Sequence, residues 1–216
     1  MKIIDVEKWN RKAHFNCFSK YSNPVFSMSV KMDVTDLLAF SKQTKTSFFT
    51  NFVFVVTKCL NDIEEFRIRI KNGQVVVYDV IRASYIVMNK QGVIVTCSTD
   101  APLDYGEFYK VMRADVEDAE KVVDRQEFNV TDDNDLFYMS CMPWVDFATM
   151  TNPYDYANPD NTSIPRLAWG KYVKDGDRYK MTLDIACHHA LMDGYPLTQA
   201  FVKIQNALDD IQNFLK

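Results

Sequence analysis

Apolar and polar residues follow two different periods along this chain, and each period predicts one kind of element. Val25 to Asp33 alternates with period two, which is typical of a half-exposed strand. Thr35 to Gln43 has a helical pattern that begins at an N-cap candidate, and Ser47 to Asn61 is so apolar that strand competes with helix. We favour helix for the second stretch because of its length. Val6 to Phe18 spaces its aromatic residues as a short N-terminal helix would.

Turn residues between alternating runs predict three hairpins. Asn72-Gly73 lies in the middle of Arg67 to Asp79 and is the strongest short-range hairpin signal in the chain. Ser84 to Thr99 repeats the pattern less cleanly. Arg166 to Val173 and Tyr179 to Cys187 form the third pair of strands, joined by a glycine-containing turn.

The remaining segments complete one predicted domain. Asp104 to Glu127 has helical periodicity, and Pro196 to Leu215 is predicted to be an amphipathic helix. Leu136 to Thr149 is predicted to be a strand with a bend at its proline, and Asn152 to Pro165 a loop, because three prolines interrupt it. Since no repeat or low-complexity tract divides the chain, we predict a single α+β domain over residues 1–216.

Composition excludes several classes of function. With 216 residues, 47% of them hydrophobic, the chain is long enough to bury a sizeable core. A net charge of -4 without a basic cluster argues against a nucleic-acid partner. No apolar run is long enough for a membrane span or an export signal, so we expect a cytoplasmic protein. The five cysteines are scattered without CxxC spacing, which favours free thiols over a disulfide framework or a zinc site.

Two of the three histidines, His188 and His189, stand together where the last strand gives way to the last helix. A histidine fixed at a sheet edge is a general-base candidate, because its ordinary pKa lies near neutral pH. Ser140 could donate its hydroxyl to developing negative charge. Asp193 could fix the local geometry, and Gly194 after it is free to take a backbone angle closed to other residues.

Three other interpretations of the histidine pair stay open. The pair could be structural, with both rings hydrogen-bonded. A metal site of His188, His189 and Asp193 is disfavoured because neighbours on a strand point to opposite faces. A Cys187 nucleophile paired with His189 is possible by alternation, although a cysteine at the end of an apolar strand is usually packing.

Several motifs together carry a resemblance to a known family. Residues 188–194, HHALMDG, match HHxxxDG, the signature of the CoA-dependent acyltransferase superfamily. Residues 9–15 (WNRKAHF), 63–73 (IEEFRIRIKNG), 139–145 (MSCMPWV) and 170–172 (GKY) resemble segments of classical chloramphenicol acetyltransferases, in the same order and near the same spacing. The chain therefore resembles the chloramphenicol acetyltransferase family over nearly its whole length.

The resemblance implies a two-layer α/β sandwich with a mixed, largely antiparallel sheet. It implies a homotrimer with an active site at each subunit interface, a small-molecule acceptor, acetyl-CoA as co-substrate and no metal. The expected activity is transfer of acetyl to a hydroxyl of chloramphenicol or a similar acceptor. A different small alcohol or amine as acceptor, or a catalytically silent trimer that binds CoA or a drug, are the alternatives.

Site residues follow from the same resemblance. His189 is expected to be the general base, and Ser140 the donor to the oxyanion of the tetrahedral intermediate. Asp193 is expected to pair with Arg11 and to support the site without touching substrate. The resemblance also implies residues that bind the coenzyme and residues that line the acceptor pocket. They are Lys171, Tyr172 and Trp144 for the coenzyme, and Phe18 and Phe26 for the acceptor.

Three positions depart from the family pattern. Phe18 replaces a tyrosine and Pro24 a cysteine of the family's drug pocket. Ala168 replaces a threonine that helps to hold an ordered water near the reaction centre. Because a pocket without polar groups discriminates against acceptors that need them, these departures bear on the acceptor rather than on the chemistry.

Overall fold

The computed structural model describes residues 1–101, 104–123 and 133–216. The strands of these residues are β1 (Lys2–Ile3), β2 (Val25–Asp33), β3 (Ile68–Lys71), β4 (Gln74–Val77), β5 (Arg82–Met88), β6 (Ile94–Thr99), β7 (Leu136–Cys141), β8 (Arg166–Trp169), β9 (Val173–Asp175) and β10 (Arg178–His188). The helices are α1 (Lys12–Phe18), α2 (Thr35–Thr44), α3 (Phe48–Asn61), α4 (Tyr105–Lys121), α5 (Pro159–Thr162), α6 (Gly194–Asp209) and α7 (Ile211–Phe214).

Two sheets organise the chain. The larger has the order β2-β10-β8-β7-β5-β6, with β9 paired to β10, and the smaller has the order β1-β4-β3. In the larger sheet β7 runs parallel to both of its neighbours, β5 and β8, while the other pairs are antiparallel. The predicted α+β class, with a mixed and largely antiparallel sheet in a two-layer sandwich, is confirmed.

Strand β10, which lies between β2 and β8, contributes side chains to both faces of the larger sheet. Met181, Leu183 and Ile185 point into the main core, which also contains the apolar faces of α3 and α6. Side chains alternate along a strand, so Thr182 and Asp184 point to the opposite face. We call this second face the loop face, because residues 142–152 run across it.

Most local predictions are confirmed, because they rest on local signals. Strand β2 and helix α3 lie where the patterns placed them, and Ser47 caps α3 by accepting a hydrogen bond from the N–H of Thr50. Asn72 and Gly73 both have left-handed backbone angles, as a two-residue hairpin turn requires. Helix α2 differs in its cap: Val34 occupies that position and provides no side-chain hydrogen bond.

Other predicted boundaries are wrong. The strand expected from Leu136 to Thr149 ends at Cys141, before the proline. The strand expected from Arg166 to Val173 is divided into β8 and β9, because Lys171 N–H donates to Val145 O at 2.8 Å instead of to a neighbouring strand. The predicted N-terminal helix is a 3-10 turn over Val6–Lys8 followed by α1.

Three more predicted segments differ from the structure. The loop from Asn152 to Pro165 contains the short helix α5. The last helix begins two residues early, at Gly194, and is interrupted at Asp210 before α7. The helix predicted from Asp104 to Glu127 ends at Lys121, and residues 124–127 of that prediction lie outside the described residues. No helix in the described part of the chain is long and apolar enough to span a bilayer.

Candidate active site

The histidine pair lies where β10 ends. His188 is the last residue of the strand, and its carbonyl accepts hydrogen bonds from the N–H groups of Leu191 and Met192, which closes a tight turn. Asp193 then caps α6 by accepting from the N–H of Tyr195 at 3.3 Å. Gly194 does not use the backbone freedom of a glycine: its φ is not positive, and it begins the helix as other residues could.

The ring of His189 is held on several sides. The ring of Phe18 stacks on it at 4.0 Å with an interplanar angle of 5°, and the ring of Phe26 lies 4.5 Å away, tilted by 34°. His189 Nδ1 lies 3.1 Å from Met192 O. Since a carbonyl oxygen can only accept, Nδ1 carries the proton, and the lone pair of Nε2 is left to act as a base.

An ion pair fastens the turn to the N-terminal segment. Arg11 Nη1 donates to Asp193 Oδ2 at 2.6 Å, and Arg11 Nη2 donates to the carbonyl of His189 at 3.5 Å. The Arg11 guanidinium holds the pKa of Asp193 below its ordinary value. The Arg11 side chain is 14% exposed and that of Asp193 37%, so the pair is partly shielded from water.

The smaller sheet packs under the same turn. Leu191 is buried in a second apolar cluster, separate from the main core. Trp9 and Phe15, whose rings lie 6.1 Å apart, cover this cluster from the N-terminal side. The buried partners of Leu191 belong to β3 and β4, and they are Ile68, Ile70 and Val75. The hairpin around Asn72-Gly73 thus supports the histidine turn from below.

His188 and Cys187 have structural positions. The His188 ring is buried and accepts from the N–H of Ala190 through Nδ1 at 3.2 Å. Burial lowers the pKa of His188 to about 4, so the ring is neutral at pH 7. Burial raises the pKa of the Cys187 thiol far above its ordinary value, which makes it a poor nucleophile. Within the described ranges, no three His, Cys, Asp or Glu side chains converge as metal ligands would.

Ser140 lies near the end of β7 on the loop face. Its side chain is partly exposed, and its hydroxyl forms no hydrogen bond with any described residue. The strand pairing aligns Ser140 with Ala168, Ala168 with Asp184, and Asp184 with Ser29. These four residues therefore form one row across the sheet, with their side chains on the same face.

The register also fixes how far Ser140 lies from His189. Ser140 is two strands away from Asp184 on β10, and His189 lies five residues after Asp184, one residue beyond the end of that strand. At roughly 3.3 Å per residue and 4.8 Å per strand spacing, the two residues are about 19 Å apart. A base and an oxyanion donor that act on one reacting centre must both lie within hydrogen-bond reach of it. One chain does not bring Ser140 and His189 together.

The residues expected at the coenzyme lie close to one another. The hydrogen bond from Lys171 N–H to Val145 O places Lys171 and Tyr172 beside Trp144. Trp144 is 67% exposed, an unusual position for a large apolar side chain. Tyr172 packs its ring against Phe48 at 5.4 Å. These side chains form an accessible surface next to the strand that carries Ser140.

Sequence and structure comparisons now identify the family. The family model for chloramphenicol acetyltransferase matches residues 1–205. The chain belongs to the chloramphenicol acetyltransferase family. The resemblance predicted from the motifs is confirmed, and the protein is an acyltransferase.

Individual relatives match over nearly the full length. A chloramphenicol acetyltransferase from Proteus mirabilis is 29% identical over 214 residues, which is 96% of this chain and 94% of the relative. One from Escherichia coli is 28% identical over 210 residues, 97% of this chain and 94% of the relative. A solved chloramphenicol acetyltransferase superposes with a TM-score of 0.87 at 27% identity, covering 96% of this chain and 100% of that one.

Asp184 and Ser29 were missed by the sequence reasoning. Ser29 Oγ donates to Asp184 Oδ2 at 2.6 Å, and both residues lie in the row that contains Ser140. One signal could have found Asp184: it is a carboxylate inside the apolar strand Tyr179 to Cys187. An acidic residue within an apolar strand is rarely buried unless its carboxylate has a hydrogen-bonding or functional role.

Proposed function

We propose that this member of the family transfers acetyl from acetyl-CoA to a hydroxyl of chloramphenicol or of a similar small acceptor, with His189 as the general base. The observation that carries the proposal is the fixed His189 ring. Its Nδ1 proton is committed to Met192 O, so Nε2 is free to accept a proton. Phe18 and Phe26 pack against the same ring and are proposed to line the acceptor pocket.

The reaction follows from these positions. His189 Nε2 removes the proton of the acceptor hydroxyl while the acceptor oxygen attacks the thioester carbonyl. Ser140 donates a hydrogen bond to the resulting oxyanion. The intermediate collapses by breaking the carbon–sulfur bond, and the coenzyme thiolate takes the proton back from His189. Lys171, Tyr172 and Trp144 are proposed to bind the coenzyme, since they form the accessible surface beside Ser140.

We further propose that the site is shared between copies of the chain in a homotrimer. The separation of about 19 Å between His189 and Ser140 within one chain supports this arrangement. A second copy that brings its His189 to the loop face completes the site, and closed symmetry gives every copy both roles. Asp193 and Arg11 support the histidine turn without touching substrate.

A mixing experiment tests the base, the donor and the shared site together. The variants His189→Ala and Ser140→Ala are each expected to lose thiol release from acetyl-CoA in the presence of chloramphenicol. When the two are unfolded, mixed in equal amounts and refolded, a site between copies regains activity. Random assembly pairs an intact His189 with an intact Ser140 in roughly one quarter of such sites.

The controls are the two variants refolded alone and the wild type refolded alone. A mixture as inactive as its components, despite trimers of normal mass, would show that both residues act within one chain. Full activity of His189→Ala alone would contradict the proposed base. Refolded wild type that transfers acetyl to none of the acceptors tested would contradict the activity itself.

A different acceptor within the same reaction is the second candidate. Phe18 and Pro24 leave the acceptor side of His189 without the polar side chains that the family pattern has there. Thiol release measured with chloramphenicol and with a panel of small alcohols and amines separates the two possibilities. A specificity constant for one of these acceptors well above that for chloramphenicol would favour the second.

A further inference from the structure

Asp184 is a buried carboxylate that the proposed reaction does not use. It lies in the middle of β10 and is 0% exposed. Ser29 Oγ donates to its Oδ2, whereas its Oδ1 is buried and has no hydrogen-bond partner among the described residues. Burial raises the pKa of this carboxyl, and the Ser29 hydroxyl and the N–H of Met150 offset part of the rise. A buried polar atom without a partner is costly, so each one in a native protein calls for an explanation.

The position of Asp184 relates it to the reacting centre. It shares a row of the loop face with Ser140, and only Ala168 stands between them. Two strand spacings separate the two residues, about 10 Å. Because the side chain of Ala168 is a single methyl group, it does not block the space between Ser140 and Asp184. A small acceptor whose reacting end lies at Ser140 has the length to reach Asp184.

A short segment covers Asp184 in the isolated chain. Thr182, two residues earlier on the same face, donates to Phe147 O at 2.6 Å. Lys31 pairs with Asp146 next to it. These contacts hold residues 146–150 over the carboxylate. An acceptor bound along the row has to move this segment, as active-site loops commonly do.

We propose that Asp184 determines which acceptors the enzyme selects: its Oδ1 accepts a hydrogen bond from a hydroxyl, amide or ammonium group of the acceptor, away from the reacting hydroxyl. The inference rests on the proposed function, because Ser140 defines the reacting end of the row. Ser29 keeps the other carboxylate oxygen in place. An acceptor with a hydrogen-bond donor at this position pairs with Asp184 Oδ1. An acceptor without it leaves Oδ1 buried and unpaired, and a polar site discriminates against such an analogue for this reason.

The variant Asp184→Ala tests this with a matched set of acceptors. The set is chloramphenicol, an analogue with its second hydroxyl methylated, and an analogue with its amide nitrogen methylated. For one of the two positions, methylation is expected to lower kcat/KM of the wild type about tenfold to a hundredfold. The same methylation costs Asp184→Ala almost nothing, and the KM for acetyl-CoA is unchanged. Asp184→Asn, which keeps one acceptor oxygen, restores part of the discrimination.

Asp115→Ala is the control variant. Asp115 is another partly buried aspartate held by hydroxyls, those of Thr99 at 3.1 Å and Tyr85 at 3.3 Å, but it lies on α4 away from the row. Asp115→Ala should leave the ratios of kcat/KM between the acceptors unchanged.

Hydrogen exchange of residues 146–150 is expected to change when chloramphenicol binds to the wild type.

Three outcomes overturn the inference. The first is an equal loss by Asp184→Ala on all three acceptors, which marks a purely structural residue. The second is dissociation of the variant into single chains with unchanged acceptor ratios, which assigns the partner of Oδ1 to a second copy. The third is equal or absent binding of the three acceptors to a wild type that has no turnover, a lack of turnover that by itself contradicts only the proposed function. Calorimetric affinities for the acceptors then decide on Asp184: unequal values that become equal in Asp184→Ala support it, and equal or absent binding overturns it.

Discussion

The histidine turn and the row through Ser140 are built in opposite ways. The histidine turn is braced by several contacts: Phe18 and Phe26 pack on the ring of His189, Met192 O lies at its Nδ1, and the Arg11–Asp193 ion pair holds the following residues. In the row, the hydroxyl of Ser140 has no partner among the described residues, and neither has Asp184 Oδ1. The chain thus carries a fixed histidine, the proposed base, in one place and unpaired hydrogen-bonding groups in another. The proposed site between copies would combine these two regions.

Removing the base should give the largest effect at the histidine turn. His189→Ala leaves the turn intact, because the N–H of His189 still donates to Pro24 O and its carbonyl still accepts from Arg11. We expect the rate of acetyl transfer to fall by about 10² to 10⁴, the usual contribution of a general base. Thiol release measures the rate, and calorimetry checks that the melting temperature changes little. Near-wild-type turnover by His189→Ala would contradict the proposal that His189 is the general base.

The neighbouring His188 should affect stability instead of rate. Its pKa of about 4 in the folded chain lies below the ordinary 6.5 of the unfolded chain. The unfolded state therefore takes up the proton first, and stability is complete above pH 6.5 and falls as pH drops toward 4. Between pH 7 and pH 5 we expect a loss of about 2 kcal/mol, at 1.36 kcal/mol per pH unit below 6.5. Urea unfolding at both pH values measures it.

His188→Gln should remove this part of the pH dependence. The carboxyl of Asp193 does not interfere, because its pKa is lowered and its contribution is lost only below about pH 4. His14→Gln, a change at an exposed histidine, is the control and should leave the slope as it is. Equal slopes in wild type and His188→Gln would show that His188 does not stay neutral in the folded chain.

Local signals in the sequence predicted much of the structure around the histidine turn and little of the row through Ser140. The hairpin at Asn72-Gly73, the helix that begins at Ser47 and the strand through Cys187 all follow from neighbouring residues in the sequence. The position of Ser140 relative to His189 does not, because it depends on the strand order β10-β8-β7 and on the register of three strands. Pairings of this kind are long-range, and periodicity within one strand carries no information about them. Asp184 is a different case, because a carboxylate inside an apolar strand is a local signal, and only its alignment with Ser140 depends on the register.

The division between β8 and β9 shows the same limit. The pattern from Arg166 to Val173 is that of one strand, and Gly170 within it did not indicate that the strand ends there. A Cβ on Gly170 would lie 2.7 Å from Val145 O and 3.1 Å from the ring of Phe147. The segment after Ser140 therefore packs directly on this glycine. Its place on the loop face is fixed by a backbone contact across 25 residues of sequence, which no local pattern records.

Breaking the ion pair should loosen the histidine turn without removing the base. Asp193→Asn leaves the guanidinium of Arg11 with a neutral partner, whereas the amide oxygen can still cap α6. We expect a loss of about 2 kcal/mol in the free energy of unfolding, kept small because Asp193 is more than a third exposed. The rate should fall as well, since the carbonyl of His189 shares the same guanidinium. Urea unfolding and thiol release measure the two effects, and a loss of rate with unchanged stability would contradict the supporting role.

The smallest effect should come from adding a methyl group at Gly170, beneath the segment that follows Ser140. Gly170→Ala forces the segment after Ser140 away from the sheet, and we expect a loss of about 1 kcal/mol in stability together with a raised KM for acetyl-CoA. Gly194→Ala is the matched control, because a Cβ there meets no atom within 4 Å and its backbone is helical. It should fold and turn over like the wild type. If both alanine variants behaved alike, the close packing of Val145 on Gly170 would have no part in placing the surface beside Ser140.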